Sequence, residues 1–212
     1  MDGGRAGAGA KLSSPIAPAH ASRYYSGMNA LPQTRLTVDD FLAWSESQPG
    51  RYELVDGVVV AQAAERASHA EMKLAVCVAL RDAIARRGAP CHALPDGMAV
   101  RVNQSTVYEP DALVYCGTKL PPDALLLENP MILVEVASPS TWRNDVTHKL
   151  TGYFSVASVV HYLIVYPDES LVIHHRRIED GKILTSILRE GAVTLDPPGL
   201  EFGLSQFYGG PA

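Results

Sequence analysis

Helical periodicity marks three stretches of the chain. Thr37 is followed three residues later by Asp40, a capping-box pattern that predicts a short first helix. The apolar positions of residues 68–87 fit a long helix, and Gly88 directly follows its last residue. A third helix is predicted over residues 141–154, where apolar residues recur at helical spacing after a Ser-Pro-Ser start.

Strand-like patterns occupy most of the remaining chain up to residue 188. A β-hairpin is predicted where Asp56 and Gly57, a favoured two-residue turn, separate two short apolar runs. The run at 131–137 is apolar on both faces, which is typical of the centre of a sheet. The predicted strands are 52–55, 58–61, 98–102, 112–115, 131–137, 159–166, 171–176 and 182–188. This order predicts an α/β (α+β) fold in which helices flank a mixed β-sheet.

Residues 1–34 differ from the rest of the chain in composition. They mix Gly, Ala, Ser and Pro without periodicity, which predicts a flexible N-terminal leader before a single domain over residues 35–208. With 47% apolar and 19% charged residues, the chain has the composition of an ordinary globular protein. No apolar run reaches the roughly 20 residues of a membrane span, and no signal-peptide pattern is present. We therefore expect a cytoplasmic protein without membrane contact.

The net charge, the cysteines and the histidines exclude few functions. A net charge of −5 is unusual for a protein that grips a phosphate backbone, although basic residues cluster at 81–87 and 174–177. The spacings of the cysteines fit neither a disulfide framework nor a zinc knuckle, so buried thiols are expected. Three histidines lack metal-ligand spacing, and we expect them to decorate strands. These residues are Cys77, Cys91 and Cys116, and His161, His174 and His175.

Three acids lie in or beside predicted strands: Glu53, Asp111 and Glu135. Glu135 is the most informative, because it stands inside a strand that otherwise contains apolar side chains. A carboxylate in such a place is costly unless it is paired or binds a cation. Asp111 follows Pro110 and opens the strand at 112–115. One loop joins the two strands, so they can lie side by side and bring Asp111 and Glu135 to one end of the sheet.

Oxygen ligands at the end of a sheet suit a hard cation such as Mg²⁺, or Mn²⁺ in its place. A metal held there can polarise a phosphoryl oxygen and generate hydroxide for attack. Lys149, on the predicted helix that follows, can stabilise the developing negative charge or orient the water. These residues therefore indicate a divalent-metal site for phosphodiester hydrolysis.

Each of these residues also has a simpler interpretation. Asp111 can be a turn residue after proline, and Glu135 can form a structural ion pair with Lys149 or an arginine. Lys149 can form a surface pair with Asp145, four residues earlier on the same helix. Glu53 can be a hairpin acid exposed to water. The sequence alone leaves these alternatives open.

Several motifs together resemble the Uma-two family, a family of restriction-endonuclease-like proteins in the PD-(D/E)xK nuclease superfamily. The resemblance covers about residues 36–188. In order, the motifs are Tyr52-Glu53-Leu-Val-Asp-Gly57, His69, Glu109-Pro110-Asp111, Leu133-Val-Glu135-Val-Ala-Ser-Pro-Ser-Thr141, Asp145-xxx-Lys149, Tyr153 and His161-Tyr-Leu-Ile-Val-Tyr-Pro-Asp168. The resemblance implies a restriction-endonuclease-like fold and a Mg²⁺-dependent or Mn²⁺-dependent endonuclease that acts on DNA.

The resemblance also implies a role for each site residue. Asp111 corresponds to the acid of the PD element and Glu135 to the acid of the second element. The backbone carbonyl of Val136 would be a further metal ligand. Glu53 matches a family acid that can bind a second metal or its waters.

The chain departs from the superfamily pattern at Ala137, which stands where a lysine is expected two residues after Glu135. By the resemblance, Lys149 on the next helix fills that role. His69 matches a family position and can orient substrate or touch the site, although packing at the helix start explains it equally well. Tyr153 can lean toward the site, although core packing is the simpler interpretation.

Three functions follow as hypotheses from the sequence. The first is a metal-dependent endonuclease with DNA as substrate. The second is a non-catalytic binding or regulatory module that has kept a nuclease fold. The third is an assembly protein whose exposed edge strands pair, and a homodimer is expected on this ground.

Overall fold

The structure, a computed structural model, describes residues 31–32, 34–137 and 142–208, and for residues 142–147 it describes the backbone alone. The described residues belong to one unit, Leu31–Ala212. Most of the predicted leader at 1–34 lies outside the described residues, as does the predicted start of the third helix at 138–141. The leader therefore stays a prediction.

The helices and strands that the sequence predicts are all present, and their described ends differ from the predicted ones by at most two residues. The described helices are α1 (Val38–Ser45), α2 (Ala67–Arg87), α3 (Trp142–Ser155) and α4 (Ser205–Tyr208). The described strands are β1 (Tyr52–Val55), β2 (Val58–Ala61), β3 (Cys91–Pro95), β4 (Ala99–Asn103), β5 (Thr106–Tyr108), β6 (Ala112–Cys116), β7 (Leu126–Leu127), β8 (Ile132–Val136), β9 (His161–Tyr166), β10 (Leu171–Arg177), β11 (Ile183–Leu188), β12 (Ala192–Leu195) and β13 (Leu200–Gly203). Although α2 has 21 residues, no described helix combines the length and apolar character needed to cross a bilayer.

Local signals account for the ends of the first two helices. Thr37 Oγ1 accepts the backbone N–H of Asp40 at 3.2 Å, and Asp40 Oδ2 accepts the N–H of Thr37 at 3.4 Å. This reciprocal pair is the capping box that the sequence predicts. Helix α2 ends at Gly88, whose φ of 65° lies in the left-handed region that glycine adopts without steric cost.

A six-stranded sheet contains the strands that position the site. Its order is β11-β10-β9-β8-β6-β3, so β8 lies in the interior, parallel to β9 and antiparallel to β6. Ile132, Leu133 and Val134 of β8 are fully buried. The central position predicted for the apolar run at 131–137 is confirmed.

The two faces of this sheet have separate cores. Val134 and Val136 of β8 belong to a core that includes the buried stripe of α2. Leu133 belongs to a second core with Tyr153 of α3. Because side chains alternate between the faces of a strand, Glu135 lies on the same face as Leu133, toward α3.

A second sheet, ordered β2-β1-β5-β4-β7, and a hairpin of β12 and β13 complete the described fold. The sequence analysis missed β3, β5, β7, β12, β13 and α4. Strands β5 and β7 have three and two residues, which is too short for a hydrophobic alternation to be visible. The predicted mixed fold with flanking helices is correct.

The prediction that all the cysteines are buried thiols is wrong for two of them. Cys91 of β3 and Cys116 of β6 form a disulfide, and only Cys77 is a free, buried thiol among the described cysteines. Cys91 and Cys116 face each other across the antiparallel pair. Their sequence separation of 25 residues does not predict the disulfide. The register of the two strands brings the cysteines together.

The prediction that three histidines decorate strands also needs correction, because they are buried: His161 is 0%, His174 7% and His175 8% exposed. His161 Nε2 lies 2.8 Å from the Pro197 carbonyl, and its Nδ1 lies 2.9 Å from His174 Nε2. A carbonyl only accepts, so His161 Nε2 carries a proton. Burial keeps both imidazoles neutral near pH 7, so His161 Nδ1 accepts from His174 Nε2.

Acidification is expected to destabilise the fold through this histidine pair. Burial lowers the pKa of both His161 and His174 to about 4. Below the ordinary histidine pKa of about 6.5 the unfolded chain takes up protons that the folded chain refuses, so stability falls between pH 6.5 and pH 4. The loss should be on the order of 3 kcal/mol. Urea unfolding at pH 7.5 and pH 5 measures it.

A double variant, His161→Gln with His174→Gln, tests the source of this pH dependence. It should unfold with a smaller difference between the two pH values than the wild-type protein. His148→Gln is the matched control, because His148 is exposed on α3. An unchanged pH dependence in the double variant would assign the effect to other groups.

Two of the basic residues that cluster in the sequence bond to backbone carbonyls of this chain. Arg86 donates to the Glu201 carbonyl at 3.0 Å. Arg177 donates to the carbonyls of Phe154 and Val159 at 2.7 and 2.9 Å. Helix α3 has no basic residue in its last turn, so Arg177 supplies the positive charge that favours a helix C-terminus. Arg86 and Arg177 therefore stabilise the fold by joining segments that are distant in the sequence.

Candidate metal and catalytic site

Strand β8 and the start of β6 bring Glu135 and Asp111 together. Ala112 pairs with Val134 in antiparallel register, and extending that register by one residue places Asp111 opposite Glu135. The side chains of Asp111 and Glu135 are 13% and 16% exposed. The two acids that the sequence analysis singled out are therefore neighbours at one end of the central strands.

Lys149 of α3 lies between two carboxylates. Its Nζ is 3.0 Å from Oε1 of Glu135 and 3.0 Å from Oε1 of Glu53 on β1. Glu53 Oε1 also accepts the backbone N–H of Glu109 at 2.9 Å. The structural ion pair between Glu135 and Lys149, one of the simpler interpretations, is thus present. The surface interpretations of Lys149 and Glu53 are wrong, because both residues are buried.

Tyr153, one turn after Lys149, serves both the core and the site. Its hydroxyl donates to Glu135 Oε1 at 2.6 Å. Its ring is fully buried between those of Tyr108 and Tyr162, with centroid distances of 5.3 and 5.1 Å. The two interpretations of Tyr153 are therefore compatible.

Gly152 permits the close approach of α3 to β5. A Cβ at this position would lie 2.8 Å from the ring of Tyr108 and 3.4 Å from the side chain of Val102. Tyr108 belongs to the buried core, where neighbouring atoms leave little room to move. Gly152 thereby sets the distance between the sheet and the helix that carries Lys149 and Tyr153.

Asp111 receives its contacts from β8 and α2. Its Oδ2 accepts the backbone N–H of Val136 at 2.7 Å. His69 Nε2 lies 3.6 Å from the same oxygen, and Lys73 Nζ lies 3.5 Å from Oδ1. These two distances are long for hydrogen bonds, so the contacts with α2 are mainly electrostatic. His69 therefore faces the site from the helix start.

Lys73 joins the site to a further group of charges that the sequence analysis missed. Its Nζ binds Asp96 at 2.6 Å and also binds Glu65. Arg51 contacts the same two carboxylates and lies 3.1 Å from Glu109. The Lys73 ammonium is held away from bulk water, because its side chain is only 8% exposed, whereas those of Arg51, Glu65 and Asp96 are 35%, 30% and 28% exposed.

One signal for this second group was available in the sequence. Lys73 follows His69 by four residues and stands beside Met72 on the buried stripe of α2. A charged residue at such a position is costly unless it is paired. Arg51 and Asp96 carry no comparable signal, because only the tertiary fold brings their loops to α2.

The pKa values of Glu135 and Asp111 are shifted in opposite directions. Burial is the largest influence on Glu135 and, with the charges of Asp111 and Glu53, raises its pKa to about 7 despite the attraction of Lys149. Burial also raises the pKa of Asp111, but His69, the Val136 N–H and Lys73 together lower it below the ordinary range. Near neutral pH, Asp111 is ionised and Glu135 sits near the midpoint of its titration.

The carboxylates of Glu135 and Glu53 shift the pKa values of Lys149 and Tyr153. Burial alone lowers the pKa of Lys149, but Glu135 and Glu53 raise it well above its usual value, so the ammonium form persists. Burial and the charges of Glu135 and Glu53 raise the pKa of Tyr153, so its hydroxyl stays a donor.

The donor atoms at the site fit a divalent cation. Asp111 and Glu135 offer carboxylate oxygens, the ligands that Mg²⁺ and Mn²⁺ accept. Among the described side chains, those of residues 31–32, 34–137 and 148–208, one group of three potential ligands lies within 4.8 Å of one another: Glu65, His69 and Asp111. Glu53 and Glu135 are outside this group and share Lys149 instead.

Residues 38–207 match the Uma2 family, described as "Putative restriction endonuclease". The chain belongs to the Uma2 family. The matched range includes every candidate site residue from Glu53 to Tyr153, and the resemblance to the Uma-two family is confirmed.

Two proteins show how far the likeness to this Uma2 chain extends. An uncharacterized protein from Synechocystis sp. is 22% identical over 183 residues, which cover 85% of this chain and 95% of that protein. A crystal structure from Anabaena variabilis, described as a putative nuclease belonging to DUF820, has a TM-score of 0.65 at 16% identity. The match covers 82% of this chain and 97% of the Anabaena chain. At this identity the match shows a shared fold.

Proposed function

We propose that this Uma2 protein is a metal-dependent endonuclease that hydrolyses phosphodiester bonds in DNA. One observation carries the proposal: the buried acid Glu135 in the interior strand β8 lies opposite Asp111, with the Lys149 ammonium 3.0 Å from Glu135. Two acids and a lysine at the end of a sheet can hold a cation beside a phosphate and stabilise added negative charge. The nuclease descriptions of the family and of the Anabaena protein support this function.

Asp111 and Glu135 are the proposed ligands of Mg²⁺ or Mn²⁺, with the Val136 carbonyl as a third. Lys149 and Tyr153 both donate to Glu135 Oε1, so we assign the other oxygen, Oε2, to the metal. When bound, a divalent metal polarises a phosphoryl oxygen and makes a water more acidic. Asp111 is suited to hold it, because its lowered pKa keeps it ionised.

Lys149 is proposed to orient the attacking water and to stabilise the charge that develops on the phosphate. Glu53 and Glu135 hold its ammonium from two elements of the fold, so the cation is oriented before substrate arrives. Glu53 Oε1 already accepts two donors. We therefore assign Oε1 of Glu53 to positioning Lys149, and its other oxygen, Oε2, to a second metal or its waters.

Substrate, oligomeric state and location complete the proposal. DNA is proposed as the substrate from the family description, and the net charge of −5 predicts weak sequence-independent affinity for it. A homodimer through β11 is proposed because β11 is an edge strand of the six-stranded sheet and Ile187 on it is 68% exposed. A cytoplasmic location is proposed from composition.

One observation favours a second candidate, a non-catalytic module with a nuclease fold. Lys149 already neutralises part of the charge of Glu53 and Glu135, so these side chains are paired without a metal. Under this alternative the ion pairs have a structural role, and added Mg²⁺ or Mn²⁺ has no partner at Glu135.

Cleavage assays with the full chain separate the two candidates. Supercoiled plasmid DNA is incubated with Mg²⁺, Mn²⁺ or EDTA, and single-stranded RNA is tested in parallel. The nuclease proposal expects nicking or linearisation of DNA with either metal and none with EDTA. No cleavage of DNA or RNA, together with no calorimetric binding of either metal that depends on Glu135, would overturn it in favour of the non-catalytic module.

A further inference from the structure

We propose that Glu65, His69 and Asp111 form a second cation site, which takes a first-row transition-metal ion such as Mn²⁺. The inference rests on the proposed function in one respect, since Asp111 would be shared with the metal at Glu135. It assigns Glu65 and His69, which the proposed nuclease mechanism leaves unused.

Geometry provides the first support. One ligand atom from each of Glu65, His69 and Asp111 lies within 4.8 Å of the others. The side chains of His69 and Asp111 are 16% and 13% exposed, and that of Glu65 is 30% exposed. The site is thus partly buried but open to ions on the Glu65 side.

The surrounding charge provides the second support. Six carboxylates, of Glu53, Glu65, Asp96, Glu109, Asp111 and Glu135, are linked by ion pairs or hydrogen bonds to only three permanent cations, of Arg51, Lys73 and Lys149. The group therefore holds more negative than positive charge. A divalent ion at Glu135 alone leaves acids near α2 that are only partly compensated.

Lys73 shows that a cation is stable at this place. Its ammonium contacts Glu65 and Asp96, and it lies 3.5 Å from Asp111. A metal at the proposed site would compete with Lys73 for Glu65, while Asp96, 2.6 Å from Nζ, remains as the partner of the lysine. In its neutral form, His69 offers a nitrogen lone pair that a metal can coordinate.

The mixed donor set determines which ion is preferred. Mg²⁺ favours oxygen ligands and retains most of its waters, whereas an imidazole nitrogen favours first-row transition metals over Mg²⁺, the later ones most strongly. The site of Asp111 and Glu135 offers oxygens alone, and the site on α2 adds a nitrogen. The two sites should therefore differ in their selectivity between Mg²⁺ and Mn²⁺.

Mn²⁺ titration of the full-length protein, followed by calorimetry and pulsed electron paramagnetic resonance, tests the inference. Wild-type protein loaded with Mn²⁺ should show coupling to a ¹⁴N nucleus. His69→Asn and Glu65→Gln should each lower Mn²⁺ affinity at one site by about tenfold or more, and His69→Asn should lose the nitrogen coupling. Glu71→Gln, an exposed charge change on the same helix, should alter neither.

Two further variants keep the outcome decisive. His69→Asp replaces nitrogen by oxygen, so it should keep Mn²⁺ at the site without the ¹⁴N coupling. Glu135→Gln should leave the nitrogen-coupled site in place. Thermal unfolding of each variant verifies that it is folded.

Failure of this inference can be distinguished from failure of the proposed function. Metal-dependent DNA cleavage by wild-type protein, with no nitrogen coupling and unchanged Mn²⁺ affinity in His69→Asn and Glu65→Gln, would overturn the α2 site alone. Nitrogen-coupled Mn²⁺ without cleavage of any nucleic acid would support the α2 site and count against the nuclease.

Discussion

Asp111→Asn and Glu135→Gln are each expected to lower metal-dependent DNA cleavage by about 1,000-fold or more. Each removes one negative oxygen ligand at the proposed metal while keeping the shape of the side chain. The asparagine amide introduced in place of Asp111 would still accept the Val136 N–H. The glutamine amide introduced in place of Glu135 would still accept from Lys149 or Tyr153. A bound metal contributes several kcal/mol to the transition state, and each 1.36 kcal/mol corresponds to a tenfold change in rate.

Single-turnover cleavage of plasmid DNA measures this loss, and calorimetry measures the loss of metal affinity beside it. Asp123→Asn is a matched control, because Asp123 also follows a proline but is exposed in a loop away from the strands. It should cleave at the wild-type rate. Full activity in both Asp111→Asn and Glu135→Gln would remove the proposed site, whatever other metal the protein binds.

Lys149→Met should destabilise the metal-free protein by about 3–5 kcal/mol at pH 8, and it should abolish cleavage. Removing Lys149 leaves Glu53 and Glu135 buried without their shared cation, and breaking a buried ion pair by removing one partner has a cost of this size. For a chain of this length the midpoint of thermal unfolding should fall by roughly 6–20 °C. Thermal and urea unfolding measure the change.

The direction in which the stability loss of Lys149→Met changes with pH identifies ionised Glu135 as its cause. The folded pKa of Glu135, about 7, already lies above its ordinary value of 4.5. Ionised Glu135 therefore destabilises the folded protein. This loss of stability is absent at pH values below the pKa of Glu135 in the unfolded chain, and it is complete above its pKa in the folded chain. Without Lys149 the folded pKa rises further, so the variant should lose less stability at pH 5 than at pH 8.

Two further variants serve as comparisons for Lys149→Met. Lys182→Met removes a lysine whose ion pair with Asp180 is 74% and 82% exposed, so its effect should stay within about 0.5 kcal/mol. Adding Glu135→Gln to Lys149→Met should restore part of the lost stability, because one uncompensated charge disappears. A Lys149→Met protein as stable as wild type at pH 8 would mean that the carboxylates are not held away from water.

Much of the fold follows from patterns within a few residues of each other. The capping box at Thr37 and the end of α2 at Gly88 depend on local backbone geometry. The apolar run of β8 predicted its central position, and the acid inside it indicated a paired or metal-binding role for Glu135. The short strands could not be predicted, because two or three residues carry no period of their own.

The sequence by itself determined the long elements, the central place of Glu135 and the order of the acids and lysine that carries the family motifs. Only the tertiary structure decided that Lys149 joins Glu53 to Glu135 and that Lys73 and His69 of α2 face Asp111. It also decided that Cys91 meets Cys116. Caps and periodicity are set by residues one to four positions apart, whereas these contacts join residues from 14 to 96 positions apart and depend on strand register and helix packing.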